Sequence, residues 1–109
     1  MAVDPLDDSN FAEKLASSEM AVVDFYPGWC GPCRMFAPRY KRLSAEYGHV
    51  RFFKLDGERA PEARRTVQID NLPYFALYRR GEFVEGLSTG KEDAFRELLD
   101  RNFGRKVEA

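Results

Sequence analysis

The sequence predicts an α/β fold in which a mixed central sheet carries helices on both faces. Strand-like and helix-like stretches alternate through the first part of the chain, the order that builds βα units. Two further strand patterns, Tyr74–Arg79 and Glu82–Leu87, are separated only by Arg80-Gly81, which marks an antiparallel hairpin. The run from Met20 to Tyr26 is nearly all apolar and suits a strand covered on both sides. At 109 residues the chain is expected to be one domain over its whole length, with a single core and no need of staples.

The elements follow in order. A brief strand near Ala2–Asp4 is confined to an edge or an end by Pro5, which lacks a ladder donor. Asp7-Asp8-Ser9-Asn10 is rich in N-cap residues and opens a short helix over about Phe11–Ser17, with Phe11, Ala12 and Leu15 on its apolar face. After the strand Met20–Tyr26, helical spacing of Cys33, Phe36, Ala37, Tyr40, Leu43 and Tyr47 predicts a helix over about Pro32–Tyr47. The period continues past Pro38, so that proline should kink the helix and not end it; Gly48 offers a stop. Val50–Asp56 reads as a strand, Arg59–Arg65 as a short helix, and Gln68–Pro73 as a turn in which Asn71 can turn left-handed. The final helix, about Lys91–Asn102, buries Phe95, Leu98 and Leu99 with Phe103, stops before Gly104, and leaves a loose tail over Arg105–Ala109.

Composition excludes several classes. A formal net charge of −1 gives no electrostatic case for nucleic acid. No apolar stretch approaches the roughly 18 residues of a membrane span. Met1–Pro5 has neither the basic start nor the apolar segment of a secretory signal, so a cytoplasmic protein is expected. A monomer is expected as well.

The chemistry concentrates at Trp29-Cys30-Gly31-Pro32-Cys33, where a strand runs into a helix. Unpaired amides and the helix dipole favour negative charge at a helix N-terminus, so a thiol there ionises more easily, and the thiolate is the attacking species. Cys33 lies one turn on and can close a small ring with Cys30. Such a ring would constrain the unfolded chain little, which makes stability a poor reason for the pair. Gly31 permits the tight entry and Pro32 suits the first helical turn, where a missing N–H costs nothing. Half of a zinc or iron–sulfur site is the rival reading, but four ligands are usual for both and the chain offers only two Cys and one His. Redox exchange is therefore expected: Cys30 attacks a partner disulfide and Cys33 resolves the mixed disulfide. Asp24 interrupts an apolar strand just before the cysteines. Burial would raise its pKa and suit it to accept a proton from Cys33; a hydrogen-bonded structural aspartate is the alternative.

The run Val22-Val23-Asp24-Phe25-Tyr26 leading into Trp29-Cys30-Gly31-Pro32-Cys33 resembles the thioredoxin family, whose active-site motif is Trp-Cys-Gly-Pro-Cys. A lowered thiol pKa is a known property of that family's pair. Pro38 falls at the family's helix-kinking proline, Lys54 at a strand lysine near the active site, and Leu72-Pro73 at a dipeptide whose cis-proline faces the cysteines. Gly81 and Gly86 fall at glycines of the terminal hairpin. The resemblance implies the thioredoxin fold and a proton-accepting role for Asp24, tuned by Lys54. It also implies a shallow contact surface bordered by Trp29, Leu72, Pro73, Tyr74 and Gly86, where the residue before Pro73 pairs with an extended substrate segment. The partners it implies are disulfide-containing proteins and a thioredoxin reductase as electron donor. No cofactor is expected beyond the redox-active Cys30–Cys33 disulfide, since the chain lacks a nucleotide-binding glycine pattern. Three departures bear on specificity: Tyr26 where the family often has a second Trp, Pro27-Gly28 before the motif, and Tyr74 where Thr is common. Arg34, Arg39, Lys41 and Arg42 give the active-site helix a basic exposed side. A partner-dedicated thioredoxin-like protein, an oxidising exchanger and a redox-independent binding scaffold are the alternatives.

Overall fold

The computed structural model describes residues 3–105, so Ala2 of the first expected strand and most of the expected tail lie outside the described residues. In chain order the elements are β1 (Val3–Leu6), α1 (Phe11–Ala16), β2 (Ala21–Tyr26), α2 (Gly31–Glu46), β3 (Arg51–Asp56), α3 (Pro61–Arg64), β4 (Tyr74–Arg79), β5 (Glu82–Ser88) and α4 (Glu92–Phe103). The strands form one sheet in the order β1-β3-β2-β4-β5. β3 pairs parallel with β1 and β2, whereas β4 pairs antiparallel with β2 and β5. The most apolar strand, β2, is central, and Pro5 sits on an edge strand, as its missing donor requires.

Alternation along the strands divides the core between two faces. Val22, Phe52, Phe75 and Leu77 pack with Phe36, Tyr40 and Leu43 of α2 and Phe95, Leu98 and Leu99 of α4. Ala21, Val23, Phe25, Phe53 and Leu55 pack on the other face with Leu15 of α1 and Ala63 of α3. On the first face the Phe75 and Phe95 rings lie 4.6 Å apart, and Phe36 meets Phe75 at 5.1 Å. Each such pair adds about 0.5–1.5 kcal/mol beyond its buried area. The buried Tyr40 hydroxyl donates to Phe53 O at 2.6 Å and Val22 O at 3.2 Å. That anchors α2 to both strands beneath it and fixes where its N-terminus points.

Several expectations are corrected locally. α2 begins at Gly31 with Cys30 as its N-cap, runs on through Pro38, and ends at Glu46 with Tyr47 as its C-cap; Gly48 follows without a left-handed φ. Ala12 is exposed, not part of the α1 core face. α3 covers only Pro61–Arg64, because Pro61 sets its first turn. The Asp8 carboxylate, far away in sequence, accepts from Glu62 N and Ala63 N and caps that turn. Asn71 does not take a positive φ; among the described residues positive φ occurs at Arg80 and Gly81, at 51° and 91°, which make the tight β4–β5 hairpin, and at Gly104 after α4.

Candidate active site

Cys30 and Cys33 form a disulfide with Cα atoms 5.2 Å apart. Cys30 has extended backbone (φ −71°, ψ 118°) and its Sγ accepts from the Cys33 N–H at 3.1 Å. Its sulfur thus stands where Ser, Asp or Asn would stand in an ordinary N-cap, taking one of the amides that the first turn leaves free. Both cysteines are 6% exposed, so in the disulfide form exposure does not distinguish them. The N-cap hydrogen bond, not exposure, tells the two sulfurs apart. Beside them Trp29 is 73% exposed, which removes a core role for its indole.

Asp24 is buried at 5% exposure and its Oδ1 has no hydrogen-bond partner. Burial pushes its pKa up to about 7, against a smaller downward pull from Lys54. The two residues are register partners on β2 and β3. Both line a cavity of about 210 Å³ together with Tyr26, Pro27, Gly28, Cys30, Cys33, Arg34 and Ala37. Alternation on β2 puts Asp24 on the same face as Val22, toward α2, which is how a carboxylate six residues before Cys30 comes to share a cavity with both sulfurs.

A second wall comes from the start of β4. Phe25 stands opposite Tyr74, so the antiparallel register brings Pro73 to the end of the sheet from which the Pro27–Cys30 loop leaves. The Leu72–Pro73 bond is cis, as the resemblance implied. Tyr26 and Pro27 also line a cavity of about 360 Å³, on whose other side are Ile69, Asp70, Asn71 and Leu72. Residues 26 and 27 therefore form a partition between the sulfur cavity and the Leu72 groove.

The thioredoxin family model matches residues 2–101. The chain belongs to the thioredoxin family. It is 30% identical over 93 residues to Thioredoxin 1 of Plasmodium falciparum, covering 85% of this chain and 89% of that one. The crystal structure of Chlamydomonas reinhardtii thioredoxin f2 superposes with a TM-score of 0.88 at 31% identity, over 96% of this chain and 100% of that one. A thioredoxin chain in the crystal structure of a ferredoxin:thioredoxin reductase–thioredoxin f2 complex has a TM-score of 0.84 at 26% identity, over 91% and 93% of the two chains. Its fold is the thioredoxin fold, and with the Cys30–Cys33 pair it is a thioredoxin-type protein-disulfide oxidoreductase. Among the described residues no helix is long and apolar enough to cross a membrane.

Two of the residues expected at the thioredoxin-like groove are placed elsewhere. Gly86 stands opposite Ala76, well along β4 from Pro73. A Cβ there would lie 1.8 Å from the Tyr74 hydroxyl and 2.4 Å from its Cζ, so Gly86 is the space into which the Tyr74 phenol folds. Tyr74 is accordingly buried at 8% exposure, with its ring 6.1 Å from Phe25, and does not offer that ring as a groove wall. The residues beside the cis-proline segment are Ser88, whose hydroxyl donates to Asn71 O at 2.7 Å, and Thr89, whose N–H donates to Pro73 O at 3.1 Å. Sequence reasoning missed both. A register shift between Leu77 and Tyr78 moves the β5 partners by one residue, and only counting through that bulge reaches Thr89. Gly31 and Pro32 lie in the first turn of α2, both exposed, and Lys54 is exposed at the rim of the sulfur cavity. Of the basic side of α2, Arg42 pairs with Glu92, while Arg34 lines the sulfur cavity.

Proposed function

We propose that this oxidoreductase works as a reductant of protein disulfides, with Cys30 attacking and Cys33 resolving. The observation that carries the assignment is the Cys30 Sγ at the N-cap of α2, accepting from Cys33 N–H while Asp24 waits buried in the same cavity. In the reduced protein a Cys30 thiolate at that position keeps the amide and the dipole as partners. It attacks one sulfur of a partner disulfide; the partner S–S bond breaks, the other partner sulfur leaves as a thiolate and takes a proton, and a mixed disulfide to Cys30 remains. Asp24 in its ionised form accepts the Cys33 proton through the shared cavity. The Cys33 thiolate then attacks Cys30 Sγ, the second partner thiol leaves, and the Cys30–Cys33 disulfide forms. Two electrons have passed to the partner. Lys54, facing Asp24 across the strand pair, biases the carboxylate toward its charged form. Gly31 and Pro32 hold the tight entry, and Trp29, Leu72 and Pro73 border the surface that a partner meets.

The electron donor in this reading is a thioredoxin reductase; one structural relative was solved in complex with a ferredoxin:thioredoxin reductase. No further cofactor is needed, because the dithiol pair carries the electrons. A cytoplasmic, monomeric carrier completes the reading, supported by cysteine usage: both thiols sit in the site and none serves as a staple. The test is reduction of insulin by the protein supplied with dithiothreitol, beside the Cys30→Ser variant. Fast reduction by the wild type, lost in the variant, is expected. A wild-type rate no better than dithiothreitol alone would sink the general-reductase reading and favour a dedicated partner or a binding scaffold.

A further inference from the structure

We propose that Asn71 is a specificity residue: its side-chain carbonyl masks the Leu72 amide, so that the protein acts more slowly on polypeptide disulfides than its sulfurs alone would allow. The inference rests on the reading above, in which a partner's extended segment pairs with Leu72.

The Leu72 N–H donates to Asn71 Oδ1 at 3.0 Å. The neighbouring backbone groups look the other way, into the sheet: Asn71 O accepts from Ser88 Oγ and Pro73 O from Thr89 N. The chain toward β5 is thus tied down, and the Leu72 amide is held by a side chain instead of a strand. Asn71 is exposed, and both residues line the 360 Å³ cavity that Tyr26 and Pro27 separate from the sulfurs. Asparagine in a turn is commonly read as a way to reach a left-handed backbone, but Asn71 has no positive φ. What the residue contributes here is its carbonyl.

A partner strand that adds to an exposed backbone edge gains affinity from main-chain hydrogen bonds. Its carbonyl must displace Asn71 Oδ1 before it can accept from Leu72 N–H, and the released amide of Asn71 returns to water. An intramolecular hydrogen bond outcompetes water by a margin worth about two- to tenfold in an equilibrium. The mask therefore costs a polypeptide partner that factor. A small aromatic disulfide that presents no peptide carbonyl bypasses the amide and feels no mask. Asn71 discriminates between substrate classes without touching sulfur chemistry.

The test uses the full-length, pre-reduced protein, its N71A variant and its N71D variant, with insulin and 5,5′-dithiobis(2-nitrobenzoic acid) as oxidised probes. N71A is expected to raise the second-order rate constant on insulin about two- to tenfold and to leave that on the aromatic disulfide unchanged. The Leu72 amide should also exchange with deuterium faster in N71A. N71D, which keeps a side-chain acceptor at the same reach, should reduce insulin no faster than wild type. Unchanged or slower insulin reduction by N71A, or an equal gain on both probes, would overturn the proposal. A wild type inert toward both probes would instead overturn the exchange reading, and this inference with it.

Discussion

The two walls that flank the sulfurs are held at different ranges along the chain. Trp29–Cys33 is made by contacts within five residues: Cys30 caps the helix that Gly31 begins, Cys33 N–H donates to Cys30 Sγ, and the two sulfurs are bonded to each other. Asn71–Tyr74 is made by contacts that reach 16 or 17 residues ahead, Thr89 N to Pro73 O and Ser88 Oγ to Asn71 O. The first wall holds its chemistry wherever the strand–helix junction forms. The second exists only once the hairpin has closed in its bulged register. Exchange chemistry therefore sits on the locally determined wall, and choice of partner on the wall that tertiary pairing assembles.

The sharpest way to break the comparison is at the first wall. Cys33→Ser leaves the Cys30 N-cap in place and removes the resolving thiol, so turnover should fall by at least about a thousandfold. A mixed disulfide through Cys30 should accumulate, read by mass spectrometry; trapping through Cys33 in Cys30→Ser would reverse the roles. Asp24 offers the next test. Asp24→Asn should slow exchange about a hundredfold near neutral pH and flatten the rise of rate through about pH 7. An unchanged profile would remove Asp24 from the mechanism. The same variant reports on stability with a definite sign. The folded pKa of about 7 lies above the ordinary value of 3.8, so between them the unfolded chain has released a proton that the native state retains. Stability then falls by about 1.4 kcal/mol per pH unit across that window and is flat on either side. Denaturant titrations at pH 8 should find Asp24→Asn more stable by up to about 4 kcal/mol, and at pH 3.5 nearly equal to wild type.

Smaller effects probe the second wall and the exposed Trp29 of the first. Gly86→Ala places a methyl group in the Tyr74 ring and should cost about 1–3 kcal/mol. Combined with Tyr74→Thr, which empties that space, much of the cost should return in a double-mutant cycle; additive losses would show that Gly86 is not filled by Tyr74. Trp29→Ala should change stability by less than about 0.5 kcal/mol, because the indole is largely in solvent, while raising KM for insulin. A large loss of stability would mean that Trp29 packs as a core residue.

How far the site was legible follows the same division. Cys30, Cys33 and the helix they open were visible from five adjacent residues, and Asp24 from a single polar interruption in an apolar strand. Trp29 is a contact residue by the family resemblance, and its exposure in the structure decides against the alternative of a partly buried core Trp. Gly86 and Tyr74 are groove residues only by the family resemblance; neither carries a sequence signal that the Tyr74 phenol fills the space at Gly86, which stands opposite Ala76. Ser88 and Thr89 carried no local signal at all. Their importance lies in which carbonyls they face.

The chain by itself determined what periodicity and short-range chemistry can specify: the strand and helix order, the central place of β2, the redox pair and its capped helix. These depend on neighbours within a turn or on the burial pattern of one strand, and such information is written contiguously. Only the tertiary structure decided which residues line the Leu72 groove, that Asp24 shares a cavity with both sulfurs, and that Asn71 turns its carbonyl onto the next amide. Each of those depends on the register between separate elements, where a shift of one residue exchanges every contact.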